Sequence, residues 1–274
     1  MMTTQSIQTN GAQLQRNDFL KVKQMIHQYC GIYIQDGKEA LVRSRLMKRI
    51  RALRLSGFRE YLDYIDKDAS GKEFLSFVDV LTTNKTNFFR EEKHFDFIRD
   101  EVLPGIQSRS VKWWSAGCSS GEEPITLAIT WLEHQQRNNG KLKILGTDIS
   151  REILHEAKQG LYGNKKMMDV PPSISRKYFQ KAADGRFRAI DEIRSMLTYG
   201  RLNLTGKWPL SGPFQIIMCR NVMIYFNRDT QNEIVNRFHD LLEPGGYLFI
   251  GHSESIPSDN PRFKNLGPAV YQKR

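Results

Sequence analysis

"VKWWSAGCSSGEEP", residues 111–124, decides how this chain folds. Residues 111–116 form a short apolar run of the length of a buried strand, and the run breaks at Gly117 into a turn of small residues that closes at Gly121. The following stretch, "EEPITLAITWLEHQQ" (122–136), reads as a helix, with Pro124 tolerated in its first turn. Strand, glycine turn and helix make the first crossover of a doubly wound sheet, where ligands bind outside the carboxyl ends of the strands. The turn departs from the dinucleotide fingerprint, because it has two glycines and places Glu122 and Glu123 at the helix start. Negative charge there repels a pyrophosphate and suits a cationic ligand such as S-adenosylmethionine, which carries an ammonium and a sulfonium. Two glutamates at a helix N-terminus also complement the helix dipole, and these residues alone leave both readings open.

The same alternation continues on the C-terminal side. "LKILGTDIS" (142–150) is a second apolar run ending in an acid. Asp148 is placed to meet ribose hydroxyls or to cap the helix that starts near Arg151; Ser150 offers an alternative cap that would free it. "REILHEAKQGLY" (151–162) is helical, "FQIIMCRNVMIYF" (214–226) holds a third buried strand, "QNEIVNRFHDLL" (231–242) is a helix, and "GGYLFIGHSES" (245–255) and "AVYQKR" (269–274) are final strands. Strands alternating with helices argue for a parallel sheet wrapped by helices. Residues 165–200 break the alternation with an antiparallel excursion turned at Asp184-Gly185. Asn203 in "GRLNLTG" and Arg220, Asn221 and Tyr225 in "CRNVMIYF" are polar groups where strands emit their C-terminal loops; Tyr225 reads equally as a packing residue.

No strand pattern precedes residue 111. "FLKVKQMIHQYCGI" places Phe19, Val22, Met25, Ile26 and Tyr29 at helical steps, with Gly31 as a stop. "GKEALVRSRLMKRIRALRL" has a narrow apolar stripe of Val42, Leu46, Ile50 and Leu53. Between positions 38 and 54 it carries seven positive residues (Lys38, Arg43, Arg45, Lys48, Arg49, Arg51, Arg54) against the single acid Glu39. "FREYLDYI" and "KEFLSFVDVL" add two more helices. The expected division is a disordered tail over 1–17, a helical module over 18–83, a linker over 84–103 and an α/β domain over 104–274.

Composition bounds the partners. Forty-one Lys and Arg against thirty Asp and Glu give a net charge of +11, which favours an acidic partner. No run approaches the ~18 apolar residues of a membrane span, and the polar N-terminus lacks the features of a secretory signal. Three dispersed cysteines and no H-x-x-x-H pair lead us to expect a reduced, cytoplasmic protein without a metal.

"TTNKTNFFRE", "WSAGCSSGEEP", "LGTDIS", "RLNL", "CRNVMIYF" and "LLEPGGYLFIGHSES", in this order, resemble the CheR family of chemotaxis receptor methyltransferases over residues 18–272. The resemblance implies a Rossmann-like class I methyltransferase sheet with a small antiparallel β-subdomain, preceded by an all-α module. It implies S-adenosylmethionine as methyl donor, S-adenosylhomocysteine as product, and receptor glutamates as acceptors. It implies cofactor contacts from Asn84, Thr86, Arg90, Glu123, Asp148, Asn203, Leu204, Arg220 and Asn221, with Arg90 and Tyr225 nearest the transferred methyl. The segment "LTTNKTNFFREEKHF" (81–95) is then a linker folded over the cofactor, and Phe88 and Phe89 its apolar anchor. The basic helix, through Arg43, Arg45, Lys48, Arg49 and Arg51, is expected to dock the glutamate-rich helical region of the receptor, the protein acting as a monomer without membrane insertion. A nucleic-acid methyltransferase of the amino-directed type would carry [D/N]-P-P-[Y/F] where this chain has "CRNVMIYF", so no nucleic-acid partner is expected; a non-catalytic cofactor-binding scaffold is the other rival. Between Tyr178-Phe179 and Ile193 the chain is about three residues shorter than in members that bind the receptor's C-terminal tail, with only Ala183-Asp184-Gly185 as the turn, and tight tail binding is not expected.

Overall fold

A computed structural model describes residues 13–134, 140–258 and 260–274. Most of the expected tail (1–12) and the last two residues of the helix read over 122–136 lie outside them. The chain divides into two compact units that meet in sequence at Thr83–Asn84. The segment expected as a linker therefore begins the second unit.

The first unit is four helices: α1 (Arg16–Cys30), α2 (Glu39–Ala52), α3 (Phe58–Lys67) and α4 (Lys72–Leu81). The periodic apolar residues form its core, with Val22, Ile26, Leu46, Tyr61 and Phe77 fully buried. Gly31 ends α1 in the left-handed conformation (φ 72°) and donates its N–H to the His27 carbonyl, as a C-terminal glycine stop does. Leu53 lies just past the end of α2. Two of the α2 arginines have partners inside the unit. Arg49 forks onto Glu73 at 2.9 and 2.6 Å, and Tyr61 donates to the same carboxylate at 2.8 Å. Arg45 reaches the Leu81 carbonyl (2.5 Å) and the Thr83 hydroxyl (2.8 Å), fastening the end of α4.

The second unit is built on a seven-stranded sheet in the order β6-β2-β1-β7-β8-β10-β9. Its strands are β1 (Ser110–Ala116), β2 (Lys141–Asp148), β6 (Leu197–Arg201), β7 (Phe214–Cys219), β8 (Leu242–Ile250), β9 (Phe263–Gly267) and β10 (Val270–Lys273). The first five run parallel, and β10 returns antiparallel between β8 and β9. Every residue of β7 is buried, and all but Gln215 are apolar, as a strand covered on both faces requires. The strand period sends Trp113 and Trp114 to opposite faces of the sheet. Trp113 packs edge-on against Trp131 of α6 (Glu122–Leu132), and Trp114 against Phe238 of α11 (Arg228–Leu241).

The antiparallel excursion is a three-stranded sheet of β3 (Leu161–Tyr162), β5 (Phe187–Ala189) and β4 (Phe179–Lys181), turned at Gly185 (φ 83°). It starts at 161 rather than 165. Residues 197–201 leave it to pair in parallel with β2. Strands β6 and β9 had no signature strong enough to be read beforehand: β6 is only partly buried and β9 carries Lys264 and Asn265 on exposed positions.

Candidate active site

Strand order reverses between β1 and β7, so their C-terminal turns, 117–121 and 220–225, border the switch point of the sheet. The two turns press together. Gly117 has φ 85°, and a Cβ there would run into Val222. Neighbouring the β1 turn, Asp148 ends β2 and accepts the Ser119 N–H (2.9 Å) and the Ser150 N–H (3.0 Å). The cap of α7 (Arg151–Gln159) is Ser150, whose hydroxyl accepts the Ile153 N–H. Asp148 is therefore not the helix cap, and its carboxylate lies against the glycine turn. Asn203 and Leu204 follow β6. Asn203 Oδ1 accepts the Thr205 N–H and hydroxyl in a local turn, while the Leu204 carbonyl accepts from Trp208 Nε1 (3.1 Å) and Arg237 (2.9 Å).

The two glutamates of α6 have different partners. Glu122 is fully buried and holds Lys166 at 2.6 Å and the Ser120 hydroxyl. Glu123 accepts from the Ser115 hydroxyl and from Arg220 Nε, both at 2.7 Å. Each Glu123 oxygen retains a second lone pair for a further donor. Arg220 is a bolt for the whole wall: beyond Glu123 it donates to the Arg90 carbonyl (2.6 Å) and to His94 Nδ1 (3.2 Å), and it stands 3.7 Å from Glu91. A guanidinium only donates, so His94 Nδ1 accepts and the proton of the neutral ring sits on Nε2. Burial, and then the Arg220 charge, push His94 from 6.5 down to about 4.

The segment 84–95 is strapped to this wall. Ser119 donates to the Asn84 carbonyl (3.0 Å), Phe89 N–H to Thr126 (3.3 Å), Arg220 to the Arg90 carbonyl, and Asn221 Nδ2 to Glu91 (3.3 Å). Phe88 is 1% exposed and sits edge-on to Tyr162 (4.9 Å) and Phe179 (5.4 Å), so it is the apolar anchor expected of it. Thr86 and Arg90 are half-buried, and Arg90 donates one N–H to the Lys85 carbonyl (3.0 Å). Tyr225 is half-buried in the helical turn Met223–Tyr225 that follows β7.

Two features mark this wall as more than packing. Phe89, Glu91, Ser119 and Asn221 all adopt positive φ, between 48° and 59°, a conformation that costs L-residues energy and persists where surrounding structure enforces it. In addition, Glu91 Oε2 and Asn221 Oδ1 are buried without a hydrogen-bond partner. Both are acceptors; Glu91 Oε2 has the Arg220 charge 3.7 Å away, whereas the unmet Asn221 Oδ1 fits a ligand that brings positive charge or N–H donors. Glu91, His94 and His252 bring ligand atoms within 4.8 Å of one another. The Arg220 guanidinium already stands against two of the three, Glu91 and His94. Glu91 and His94 were not singled out in the sequence; the acids and histidine of "REEKHF" were the only hint.

The all-alpha domain of CheR methyltransferases matches residues 17–82, and their SAM-binding domain matches 84–271. The chain belongs to the CheR methyltransferase family: it is a class I, S-adenosylmethionine-dependent methyltransferase of chemotaxis. It is 35% identical over 283 residues to the chemotaxis protein methyltransferase of Borreliella burgdorferi, covering all of both chains. To a probable chemotaxis protein methyltransferase of Rhizobium etli it is 40% identical, over 90% of this chain and 96% of that one. To the chemotaxis protein methyltransferase of Escherichia coli it is 37% identical, over 92% and 89%. Among the described residues no helix is long and apolar enough to cross a membrane.

Proposed function

We propose that the protein methylates glutamate side chains in the cytoplasmic helical region of chemoreceptors, forming glutamyl methyl esters. The observation that supports this reading is the buried acceptor Asn221 Oδ1, which has no hydrogen-bond partner and lies beside Glu91 of the strap 84–95. It suits the cationic cofactor, and the strap sets Arg90 beside that cofactor. The cofactor supplies an electrophilic methyl group on a sulfonium. A glutamate acceptor is ionised at neutral pH, so the chain needs no general base, and neither Arg90 nor Tyr225 has to act as one. Arg90 aims the carboxylate through its free edge, and Tyr225 lines the methyl's path. Asn84, Thr86, Glu123, Asp148, Asn203, Leu204 and Asn221 hold the cofactor, and Arg220 holds the wall that carries them. Alignment of the two reactants is the main source of rate and can supply ~7–11 kcal/mol.

The exposed α2 residues Arg43, Lys48 and Arg51 supply a salt-sensitive docking face for the glutamate-rich helices, whereas Arg45 and Arg49 brace the helical unit itself. The tight turn over 182–186 supports docking without a tethered receptor tail.

The test uses methyl-labelled S-adenosylmethionine, purified full-length protein and membranes bearing a chemoreceptor from the same organism. Label on receptor that mild base releases as methanol is the expected result, lost in Arg90→Ala. Label on RNA or DNA instead, or base-stable label, overturns the reading.

A further inference from the structure

The turn 220–225 needs something to hold it. It leaves β7 at Cys219, passes through Asn221 at φ 59° and places Ile224, 49% exposed, beside Tyr225. The Asn221 side chain reaches across to Glu91 rather than stabilising its own backbone, so the strain of the left-handed residue must be met elsewhere. It is met by Glu254, in the loop that follows β8. Oε2 of Glu254 accepts the Asn221 N–H (2.9 Å) and the Gly251 N–H (2.5 Å), and Oε1 accepts the Ile224 N–H (3.1 Å). The approach is close enough to require glycine at 251, where a Cβ would lie 2.6 Å from Asn221 Nδ2 and 2.8 Å from the Glu254 carboxylate. Backbone N–H groups converging on one carboxylate form a preset anion nest, here with the anion built into the chain. Burial pushes the Glu254 carboxyl above its ordinary value, while N–H groups of Gly251, Asn221, Ile224 and Met223 oppose the shift.

We propose that Glu254 is a positioning residue for methyl transfer: its carboxylate ties the turn after β7 to the loop after β8, and so holds Asn221 toward the cofactor and Ile224–Tyr225 at the acceptor side. The acceptor half of this statement rests on the proposed glutamate methylation; the cofactor half does not. Glutamine at 254 keeps the shape but replaces one accepting oxygen by an N–H₂ donor, so at least one of the three backbone N–H groups loses its acceptor. The three tied groups are main-chain atoms, which no side-chain substitution at 221 or 224 replaces.

The experiment measures S-adenosylhomocysteine binding by calorimetry with full-length wild type, Glu254→Gln and Val111→Ala. Val111 is buried at the opposite end of β1 from the ligand, so its truncation controls for lost stability. Glu254→Gln is expected to weaken binding roughly tenfold, while Val111→Ala of equal or lower melting temperature binds like wild type. Equal affinities in the two variants overturn the proposal. A second measurement needs no variant: the amides of 221, 224 and 251 should exchange slowly in the free wild type. Fast exchange that slows only when S-adenosylhomocysteine is added would mean that the ligand, not Glu254, orders the turn. Binding is read without an acceptor, so a failure to label receptor leaves this test intact.

Discussion

Arg49 and Arg220 each clamp a buried glutamate, one in each unit, and the two clamps end differently. Arg49 and Tyr61 together hold Glu73 and the network stops there. Arg220 holds Glu123, but it also reaches the strap at Arg90 and stands beside His94 and Glu91. The same wall holds the buried Asn221 Oδ1, which has no hydrogen-bond partner, and four residues at positive φ. A network that only stabilises a fold can afford to be closed; one that receives a ligand has to keep acceptors open and backbone strained, with neighbours enforcing both. The difference therefore separates a structural brace from a binding wall within one chain.

The sharpest way to break this contrast is to remove both arginines in turn. Arg220→Ala leaves Glu123 in the interior without its cation and frees the Arg90 carbonyl. The expected cost is about 3–5 kcal/mol, together with loss of measurable S-adenosylhomocysteine binding. In Arg49→Ala the Tyr61 hydroxyl still serves Glu73, and the expected cost is about 1–3 kcal/mol, confined to the helical unit. Calorimetry should find cofactor affinity unchanged in that variant; a loss comparable to that of Arg220→Ala would abolish the distinction.

His94, which accepts from Arg220 within the wall, makes its burial there measurable by pH. Its pKa falls from 6.5 to about 4 in the folded chain, chiefly through burial and then through Arg220. Between those values the unfolded chain binds the proton more tightly, so stability is intact above pH 6.5 and declines as the pH falls toward 4. The full difference is worth on the order of 3 kcal/mol. Denaturant titrations from pH 7 to pH 4 should show this decline in wild type, and His94→Gln should flatten it. An unchanged slope in the variant would assign the acid sensitivity to other groups.

Much of this was legible in advance, and the parts that were not have a physical reason. The strand–turn–helix at 111–124 was readable because each element is local. Between Asp148 and Ser150 the cap stayed open, since an acid and a serine two residues apart both suit a helix start. The roles of the arginines were not readable. Arg45 and Arg49 counted as docking charge by their place on a basic helix, yet their partners at 73, 81 and 83 come from another helix and its end. Arg220 meets Arg90 across 130 residues of chain, a pairing that exists only once the sheet has closed. Likewise Glu254 carries no local signal for its role, because it binds main-chain N–H groups, and these look alike in every sequence.

The smallest effect tests the strain itself. Arg54, two residues past the end of α2, has φ 57° and is exposed, and Ser119 in the β1 turn has φ 48°. Glycine relieves both conformations, but only one of the two side chains holds anything across the fold. Arg54→Gly should raise the stability of the helical unit by about 1 kcal/mol and leave cofactor binding alone. Ser119→Gly gains a similar backbone term, yet it deletes the hydroxyl that donates to the Asn84 carbonyl at 3.0 Å. That bond is worth about 1 kcal/mol, so stability should barely move. Meanwhile the start of the strap loosens, and S-adenosylhomocysteine affinity should drop roughly fivefold. If Ser119→Gly instead stabilises the protein and binds as tightly as wild type, the strain in the turn is incidental. If stability holds and affinity falls, the strained serine is retained because its hydroxyl keeps the strap over the cofactor.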